Sequence, residues 1–181
     1  MGFVVLHIQK PKGNDAGTTA HIERTVNPAN ADPERKYLNR NLIEYPNGME
    51  TRTQAIQHRI ETAGIKRKIS HNQVRALHVM LSGTPEDMQR IQAEGKLDEW
   101  CRDNIRWLQD TFGKNNVVSA VLHMDEKTPH IHATVVPIVS GESYYVCIGR
   151  SSGRVLPPLA AGRSPSDEYL AIEKKKSVIK R

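Results

Sequence analysis

Alternating and periodic apolar positions along the chain predict a protein that mixes strands and helices. Residues 3–9 alternate and carry branched side chains, and residues 74–81, 117–123 and 130–136 contain apolar runs typical of buried strands. A long helix is indicated by an apolar stripe at spacings of four, four, three and four: Leu97, Cys101, Ile105, Leu108 and Phe112. The pattern therefore predicts several strands that pack against at least one amphipathic helix.

Turn and capping residues divide this pattern into elements. Residues 49–63 have helical composition and end at Gly64, while Thr84 followed by Pro85 is a helix start. The polar segment Ala16–Arg24 is predicted to be a loop that leads into one helical turn. The order strand, loop, helix, strand, long helix, strand, strand predicts an α+β sandwich with an antiparallel sheet.

Length and composition indicate one soluble domain. The chain has 181 residues, of which 38% are hydrophobic, and this is long enough to bury a core. We find no apolar run long enough for a membrane span and no signal peptide, and two cysteines do not make a disulfide framework. We therefore expect a cytoplasmic protein without a transmembrane segment.

The net charge of +6 is concentrated near the end of the sequence. Residues 173–181 hold five basic residues and one acid, a net of +4, which leaves only +2 for the other 172 residues. Two local basic clusters are better candidates for phosphate contacts, although a solvated loop explains either almost as well. They are Arg35, Lys36 and Arg40, and Lys66, Arg67, Lys68 and Arg75.

The richest chemistry lies in the ten residues from His123 to His132, which hold three of the eight histidines and two carboxylates. His130 and His132 are two residues apart on a predicted strand, so alternation places both imidazoles on one face. His123 ends the preceding strand, and Pro129 favours an extended approach to His130 after a turn.

A hairpin of this kind brings three imidazoles to one point, as a divalent metal requires. Imidazole ligands suit Mn, Fe, Co, Ni, Cu or Zn, so the spacing does not choose the ion. The alternative is that these histidines are ordinary surface side chains. Two carboxylates beside three histidines favour the metal site.

The block His123–His132 fits the pattern His-x-Asp-Glu-x-Thr-Pro-His-x-His and thereby resembles the MobV (Mob/Pre, plasmid recombination and mobilisation) family of relaxases. His21-Ile22-Glu23-Arg24 resembles the N-terminal His-x-x-Arg motif of that family, and Asn39-Arg40-Asn41-Leu42 resembles its Asn-x-x-Leu motif. The three motifs occur in the expected order within residues 1–138.

The resemblance implies a relaxase of the HUH endonuclease superfamily: a two-layer sandwich with a central antiparallel sheet and flanking helices. Such enzymes nick one strand of plasmid DNA at an origin of transfer, taken as a single strand or a hairpin. They remain bound to the 5′ phosphate and later rejoin the ends. The implied cofactor is a divalent metal ion, Mn²⁺ or Mg²⁺ foremost, with Zn²⁺ or Ni²⁺ as alternatives.

Residue roles follow from the same resemblance. His21 matches the attacking histidine, Arg24 the motif arginine and Glu126 the acid that orients the nucleophile or takes its proton. The metal-binding positions are His123, His130 and His132, and Asn39 joins the basic clusters as a DNA contact. For Asp125 we expect a turn-stabilising role, and for His7, His58, His71 and His78 a core or surface role.

Two departures from the family pattern matter. Arg40 stands where the second motif often has an aromatic residue, which leaves Tyr37 and Tyr45 as alternative nucleophiles. Family members usually continue into long helical segments for dimerisation or membrane contact. The conjugative coupling machinery is a further partner that the resemblance implies. We therefore expect a catalytic domain over residues 1–138, and over 139–181 a weakly structured or helical extension. The chain would then be a truncated segment or a short divergent member.

Two alternatives stay open from the sequence. The first is a rolling-circle replication initiator with the same chemistry but a different DNA target, although here the nucleophile motif precedes the metal motif, as in relaxases. The second is a non-catalytic DNA-binding module in which the histidines hold a structural metal. Structural zinc usually has four protein ligands, often cysteines, and neither cysteine lies near the histidine block.

Overall fold

The computed structural model describes residues 5–9, 15–46, 48–65, 74–139 and 142–143. Its elements, in chain order, are β1 (Val5–Gln9), α1 (Ala16–Ile22), a 3₁₀ helix (Pro33–Leu38), β2 (Arg40–Ile43), α2 (Arg52–Glu61), β3 (Leu77–Ser82), α3 (Pro85–Ala93), α4 (Leu97–Phe112), a second 3₁₀ helix (Lys114–Asn116), β4 (Val117–His123), β5 (His130–Val135), β6 (Ile138–Val139) and β7 (Glu142–Ser143). None of the helices in these ranges combines the length and apolar character that a bilayer span requires.

Five strands form one sheet in the order β1-β3-β5-β4-β2, and every neighbouring pair is antiparallel. β5 occupies the centre of the sheet, and its backbone is paired with β3 on one edge and with β4 on the other. The short strands β6 and β7 pair with each other in a separate two-stranded sheet. The predicted α+β class, with a central antiparallel sheet and flanking helices, is confirmed.

Alternation along β5 gives the two faces of the sheet different roles. Ile131, Ala133 and Val135 are fully buried in a core cluster that also holds Cys101 and Leu108 of α4. Burial of a side chain such as Ile131 stabilises the fold by about 1.5–3 kcal/mol. The opposite face of β5 carries polar residues and is covered by α1 and α2. Apolar packing against α4 therefore stabilises one face of the sheet, and the polar face holds the candidate functional residues.

Local signals explain where the other helices begin and end. Thr51 caps α2 through a capping box with Gln54, and Thr84 caps α3 with Pro85 in its first turn. α3 ends before Gly95, whose φ of +66° is readily adopted only by glycine, and α4 follows directly. The start of α3 at Thr84 and Pro85 agrees with the prediction from the sequence, whereas α2 covers only Arg52–Glu61 of the predicted helical segment 49–63.

Three element predictions were wrong in detail. The segment predicted as a loop forms α1 from Ala16, although its glycine and threonines favour helix weakly. The edge strand β2 was not predicted, because Arg40-Asn41-Leu42-Ile43 shows no apolar alternation. β3 begins at Leu77 rather than at residue 74. In each case tertiary pairing, not local propensity, decides the structure.

Candidate metal and nuclease site

The central strand presents two imidazoles on the face opposite the core. His130 and His132 alternate with the buried Ile131, and both are themselves almost fully buried. His123, at the end of β4, is the direct antiparallel partner of His130. Ser82 of β3 donates a 2.9 Å hydrogen bond to the carbonyl of Pro129, which fixes the start of β5.

Each of these three imidazoles has one ring nitrogen within hydrogen-bond distance of a neighbouring residue. His130 Nδ1 lies 2.8 Å from the carbonyl oxygen of Thr128, and His123 Nε2 lies 3.0 Å from that of Ile22. A carbonyl only accepts, so each of these nitrogens carries the proton and the other nitrogen of each ring keeps its lone pair. His132 Nδ1 lies 2.7 Å from His78 Nε2.

The three rings also lie close to one another. His130 Nε2 and His132 Nε2 are 3.0 Å apart, and the His123 ring centroid is 4.7 Å from that of His132. His123 Nδ1 is buried and has no hydrogen-bond partner among the described residues, which is unusual for a buried ring nitrogen. Two donors on a tetrahedral ion with bonds of about 2.0 Å stand roughly 3.3 Å apart. The residues therefore fit a divalent metal.

Two overlapping sets of side chains can supply ligands. One set is His21, His123 and His132, and the other is His123, Glu126 and His130; within each set the ligand atoms lie within 4.8 Å of one another. His123 belongs to both. We name His21, His123, His130 and His132 the imidazole cluster. Neither set holds all three predicted metal ligands, although the rings of His123, His130 and His132 lie close together, with centroids 4.6–5.4 Å apart.

His21 reaches the cluster from α1. Its Nε2 lies 3.3 Å from His132 Nε2 and 3.8 Å from Glu126 Oε1. The His21 side chain is 35% exposed, in contrast to the buried His123, His130 and His132. Burial and then the nearby Arg24 charge lower the pKa of His21 below 6.5, so the ring is neutral at pH 7 and retains a nucleophilic lone pair. His21 is the imidazole of the cluster that solvent and substrate can reach.

Arg24 is buried among two carboxylates. The sequence predicted a helical turn in the segment that ends at Arg24. Arg24 instead lies beyond the end of α1, with a φ of +53°. Its guanidinium donates two 2.8 Å hydrogen bonds to Asp125 and one of 2.7 Å to Glu126. Burial alone would lower the pKa of Arg24, but these bonds raise it, so Arg24 keeps its charge 3.4 Å from His21 Nδ1.

Asp125 organises the turn between β4 and β5. Its carboxylate accepts from Arg24 and, at 2.8 Å, from the amide of Asn39, whose own oxygen accepts from the backbone N–H of Met124 and Asp125. Burial alone would raise the pKa of Asp125, but these bonds hold it well below its usual range. Asp125 therefore does more than stabilise its own turn: it connects the turn to Arg24 and Asn39.

Burial also keeps the inner imidazoles neutral. It lowers the pKa of His123 to about 4, with Arg24 adding to the effect, and the pKa of His78 to about 4, with Arg52 adding to it. For His132, burial and the neighbouring histidines lower the pKa strongly. Neutral imidazoles keep the lone pairs that a metal ion requires.

A buried arginine anchors α1 to the sheet. Arg52 of α2 is fully buried, and its guanidinium donates to Thr134 of β5 (2.7 Å), to Thr19 of α1 (2.9 Å) and to Asp15. Because Thr134 and His132 share a face of β5, this contact fixes α1 over the imidazole cluster. Helix propensity alone would not hold so short a helix in place.

An open cleft of about 380 Å³ lies beside the cluster. Its lining includes His21, Glu126, His130 and His132, together with Met80 and Lys127. A ligand in this cleft would therefore contact His21, Glu126, His130 and His132 together.

Comparison with known proteins explains this combination of fold and cluster. The model of a protein family described as "Plasmid recombination enzyme" (Mob_Pre) matches residues 1–152. The chain belongs to the plasmid recombination enzyme family. The resemblance of the three sequence motifs to this family is thereby confirmed.

Curated relatives agree with this membership. A "65 kDa protein" of Zymomonas mobilis is 32% identical over 137 residues, which are 75% of this chain and 23% of that protein. "Plasmid recombination enzyme type 3" of Staphylococcus aureus is 28% identical over 146 residues, 76% of this chain and 34% of that protein. The chain thus spans about a quarter to a third of the length of these curated relatives.

A solved structure shares the fold. The relaxase domain of MobM (MOBV; Mob_Pre), bound to the oriT DNA of plasmid pMV158 in an Mn-bound crystal, superposes with a TM-score of 0.72. The match covers 82% of this chain and 78% of that chain at 23% sequence identity. At this identity the likeness establishes the fold of this plasmid recombination enzyme family member.

The other predicted residues lie at different distances from the cluster. Lys36 donates to the carbonyl of Arg24 at 2.9 Å, and Arg40 pairs with Asp98 at 2.6 Å on the surface. Arg35 lies half-buried on the same 3₁₀ helix as Lys36, and Arg75 is exposed before β3. Lys66, Arg67 and Lys68 lie outside the described residues.

The two tyrosines differ in their suitability as nucleophiles. The hydroxyl of Tyr45 donates a 3.0 Å hydrogen bond to Glu23, and burial together with that carboxylate raises the pKa of Tyr45. A phenol that holds its proton so firmly is a poor nucleophile. Tyr37 is 82% exposed on the 3₁₀ helix, and no contact joins it to the imidazole cluster among the described residues. His21 is the better-placed candidate.

Sequence reasoning gave no site role to His78 or Asn30, and gave Asp125 only a turn-stabilising role. His78 contacts His132, Asn30 donates a 2.7 Å hydrogen bond to Glu126, and Asp125 binds Arg24. Asp125 could have been found, because it is one of the two acids in the histidine block. Asn30 lies in an ordinary turn sequence, and His78 stands in an apolar strand without any motif, so neither carries a local signal.

Proposed function

We propose that this chain nicks and rejoins one strand of plasmid DNA at an origin of transfer, with a divalent metal ion and with His21 as the attacking residue. One observation carries the proposal. Three buried imidazoles lie with their ring centroids 4.6–5.4 Å apart, and the more exposed His21 lies 3.3 Å from one of them beside an open cleft. Family membership favours a relaxase over a rolling-circle replication initiator.

His123, His130 and His132 would hold the ion, through Nδ1 of the first and Nε2 of the other two. When bound, the ion would neutralise charge on the scissile phosphate and stabilise the transition state. Mn²⁺ is our first choice, because the related MobM domain is Mn-bound in its crystals, with Mg²⁺, Zn²⁺ and Ni²⁺ as alternatives. A structural zinc site is disfavoured, because the one described cysteine, Cys101, lies in the core under the opposite face.

The covalent step would use the neutral ring of His21. Its lone pair attacks phosphorus in line with the 3′ oxygen; a P–N bond forms, the P–O3′ bond breaks, and the released oxygen takes a proton from solvent. The 5′ phosphate then stays on His21 as a phosphoramidate. Attack by a 3′ hydroxyl reverses the step, re-forms the P–O bond and frees His21, so rejoining needs no ATP.

Arg24 and Glu126 would support this step from either side of the ring. Glu126 Oε1 lies 3.8 Å from His21 Nε2 and stabilises the positive charge that develops on the imidazole as it attacks. Glu126 is itself held by Arg24 and Asn30 at 2.7 Å each. Arg24 also contributes a permanent positive charge near the phosphate, although its hydrogen bonds are largely committed to Asp125 and Glu126.

Origin DNA, as a single strand or a hairpin, is the proposed partner. The related MobM domain is bound to oriT DNA, and the basic residues Arg35, Lys36, Arg40 and Arg75, together with Lys66, Arg67 and Lys68, would contact phosphates. Asn39 would act indirectly, because its side chain is engaged with the turn at Asp125. Dimerisation through a further region and contact with a conjugative coupling machinery remain predictions.

A plasmid relaxation assay tests the proposal. With Mn²⁺, the purified chain should convert a supercoiled plasmid that carries the DNA flanking its own gene into open circles, and chelation should stop the reaction. His21→Ala should abolish nicking while Mn²⁺ binding is retained, whereas His130→Ala should lose Mn²⁺ binding as well.

His58→Ala is the matched control, since His58 lies on α2 and contributes to neither of the two metal-ligand sets. It should nick like the wild type. Nicking that persists in His21→Ala would transfer the attack to another residue. Wild-type metal binding by His130→Ala would refute the assignment of the three ligands.

A further inference from the structure

The outer partners of the three metal-binding imidazoles are not alike. His123 and His130 face backbone carbonyls, which can only accept a proton. His132 instead faces a second imidazole, His78, across 2.7 Å. An imidazole can donate or accept, so this third contact admits two arrangements where the other two admit one.

The sheet holds His78 and His132 in register. β3 pairs with β5 so that His132 is opposite Met80 and His78 is opposite Thr134, which makes His78 and His132 diagonal neighbours on one face. Their ring centroids are 4.8 Å apart and the ring planes are inclined by only 29°, so the two rings meet at His78 Nε2 and His132 Nδ1 in nearly the same plane. Paired backbone on both sides therefore fixes the contact.

We propose that His78 is a positioning residue for the metal site, which accepts a hydrogen bond from His132 Nδ1–H and so directs the lone pair of His132 Nε2 to the ion. The inference rests on the proposed function, since it takes His132 as a ligand. His78 must then carry its own proton on Nδ1, so that the lone pair of its Nε2 can accept the hydrogen bond. All three outer contacts are then of one kind: each ligand imidazole donates its single N–H to an acceptor and keeps the lone pair of its other nitrogen for the ion.

The opposite arrangement shows why the acceptor matters. If His78 donated Nε2–H to His132, the proton of neutral His132 would sit on Nε2, which lies 3.0 Å from His130 Nε2. That proton would occupy the place of the ion. An acceptor at position 78 removes this competing state and lets His132 bind without rearrangement.

Metal affinity tests the inference without reference to nicking. Mn²⁺ binding to the purified chain is measured by isothermal titration calorimetry for the wild type, His78→Leu and His78→Gln. Leu fills space but accepts no hydrogen bond, so we expect a loss of about 10- to 100-fold in Mn²⁺ affinity. Gln offers an amide oxygen near the place of Nε2 and should restore most of that loss. His58→Leu is the matched control and should bind like the wild type.

The outcomes separate the inference from the proposed function. If the wild type binds no Mn²⁺, the proposed function fails first. If the wild type binds and His78→Leu binds equally well, the inference alone is overturned. If Leu and Gln lose affinity to the same extent, His78 acts only through packing, and the inference is also overturned.

A spectroscopic measurement covers the case in which His78→Leu does not fold. Nitrogen-15 NMR of the imidazole rings, in the wild type loaded with diamagnetic Zn²⁺, reports which ring nitrogens carry protons. We expect His78 to carry its proton on Nδ1 and none on Nε2. A proton on Nε2 of His78 would overturn the inference.

Discussion

At the scale of single residues, the site depends on which nitrogen of each imidazole carries a proton. The carbonyl of Thr128 sets this for His130 from within the same turn, so a careful reading of the sequence could have suggested it. The carbonyl of Ile22 sets it for His123 from a distant helix, and His78 contacts His132 from a neighbouring strand. These two partners depend on tertiary structure, so the sequence could name candidate ligands but not the ring nitrogen that each would offer.

Burial of His123 makes the stability of the metal-free protein depend on pH. The pKa of His123 is about 4 in the folded chain and 6.5 when exposed. Above pH 6.5 neither state is protonated and the stability is full; as the pH falls from 6.5 toward 4, the unfolded chain binds the proton first and stability is lost. We expect His123 alone to account for about 3 kcal/mol of this loss.

Chemical denaturation in the presence of a chelator measures this effect. The free energy of unfolding is compared above pH 6.5 and near pH 4 for the wild type and for His123→Asn, which cannot titrate. The decline between the two conditions should be smaller in the variant. An equal decline in both proteins would show that His123 is not buried in its neutral form.

At the scale of elements, the site joins a short helix to a turn. α1 carries His21, yet it has only seven residues and weak helix formers, so its sequence predicted a loop. Arg52 holds the body of α1 to β5, and Arg24 holds its C-terminal end to Asp125 in the β4–β5 turn. The strongly patterned β4 and β5 were predictable from their apolar runs; α1 was not, because buried polar contacts stabilise it.

Asp125→Asn tests the connection between α1 and the turn. The change leaves the buried Arg24 with one carboxylate partner in place of two, and we expect the free energy of unfolding to fall by about 3 kcal/mol. The nicking rate should fall by roughly tenfold or more, because His21 is no longer held in place. Mn²⁺ affinity should change little, since Asp125 belongs to neither ligand set.

Asp98→Asn is the control for this prediction. It removes the partner of Arg40 in an ion pair whose two side chains are 46% and 64% exposed. Exposed pairs contribute little, so stability and nicking should stay close to wild type. Similar losses in both variants would indicate that charge removal in general, rather than the Arg24–Asp125 contact, is responsible.

At the scale of the whole molecule, the two faces of the sheet have different roles: one stabilises the fold and the other carries the candidate site. One face packs against α4 through apolar side chains, and the other places the imidazole cluster under α1 and α2. The sequence predicted the class and the central hairpin, because period-two apolar runs are local signals. The sequence could not predict the strand order β1-β3-β5-β4-β2 or the edge strand β2, because long-range strand pairing decides both. A catalytic domain over 1–138 stays a prediction.

Mass spectrometry of the covalent protein–DNA adduct tests the central claim most directly. A single-stranded oligonucleotide that spans the mapped nick is incubated with the chain and Mn²⁺, digested at neutral to alkaline pH to preserve a phosphoramidate, and sequenced as a peptide–nucleotide conjugate. We predict that the 5′ phosphate is attached to His21. Attachment to Tyr37 or Tyr45, or nicking that leaves no adduct on any residue, would contradict the account.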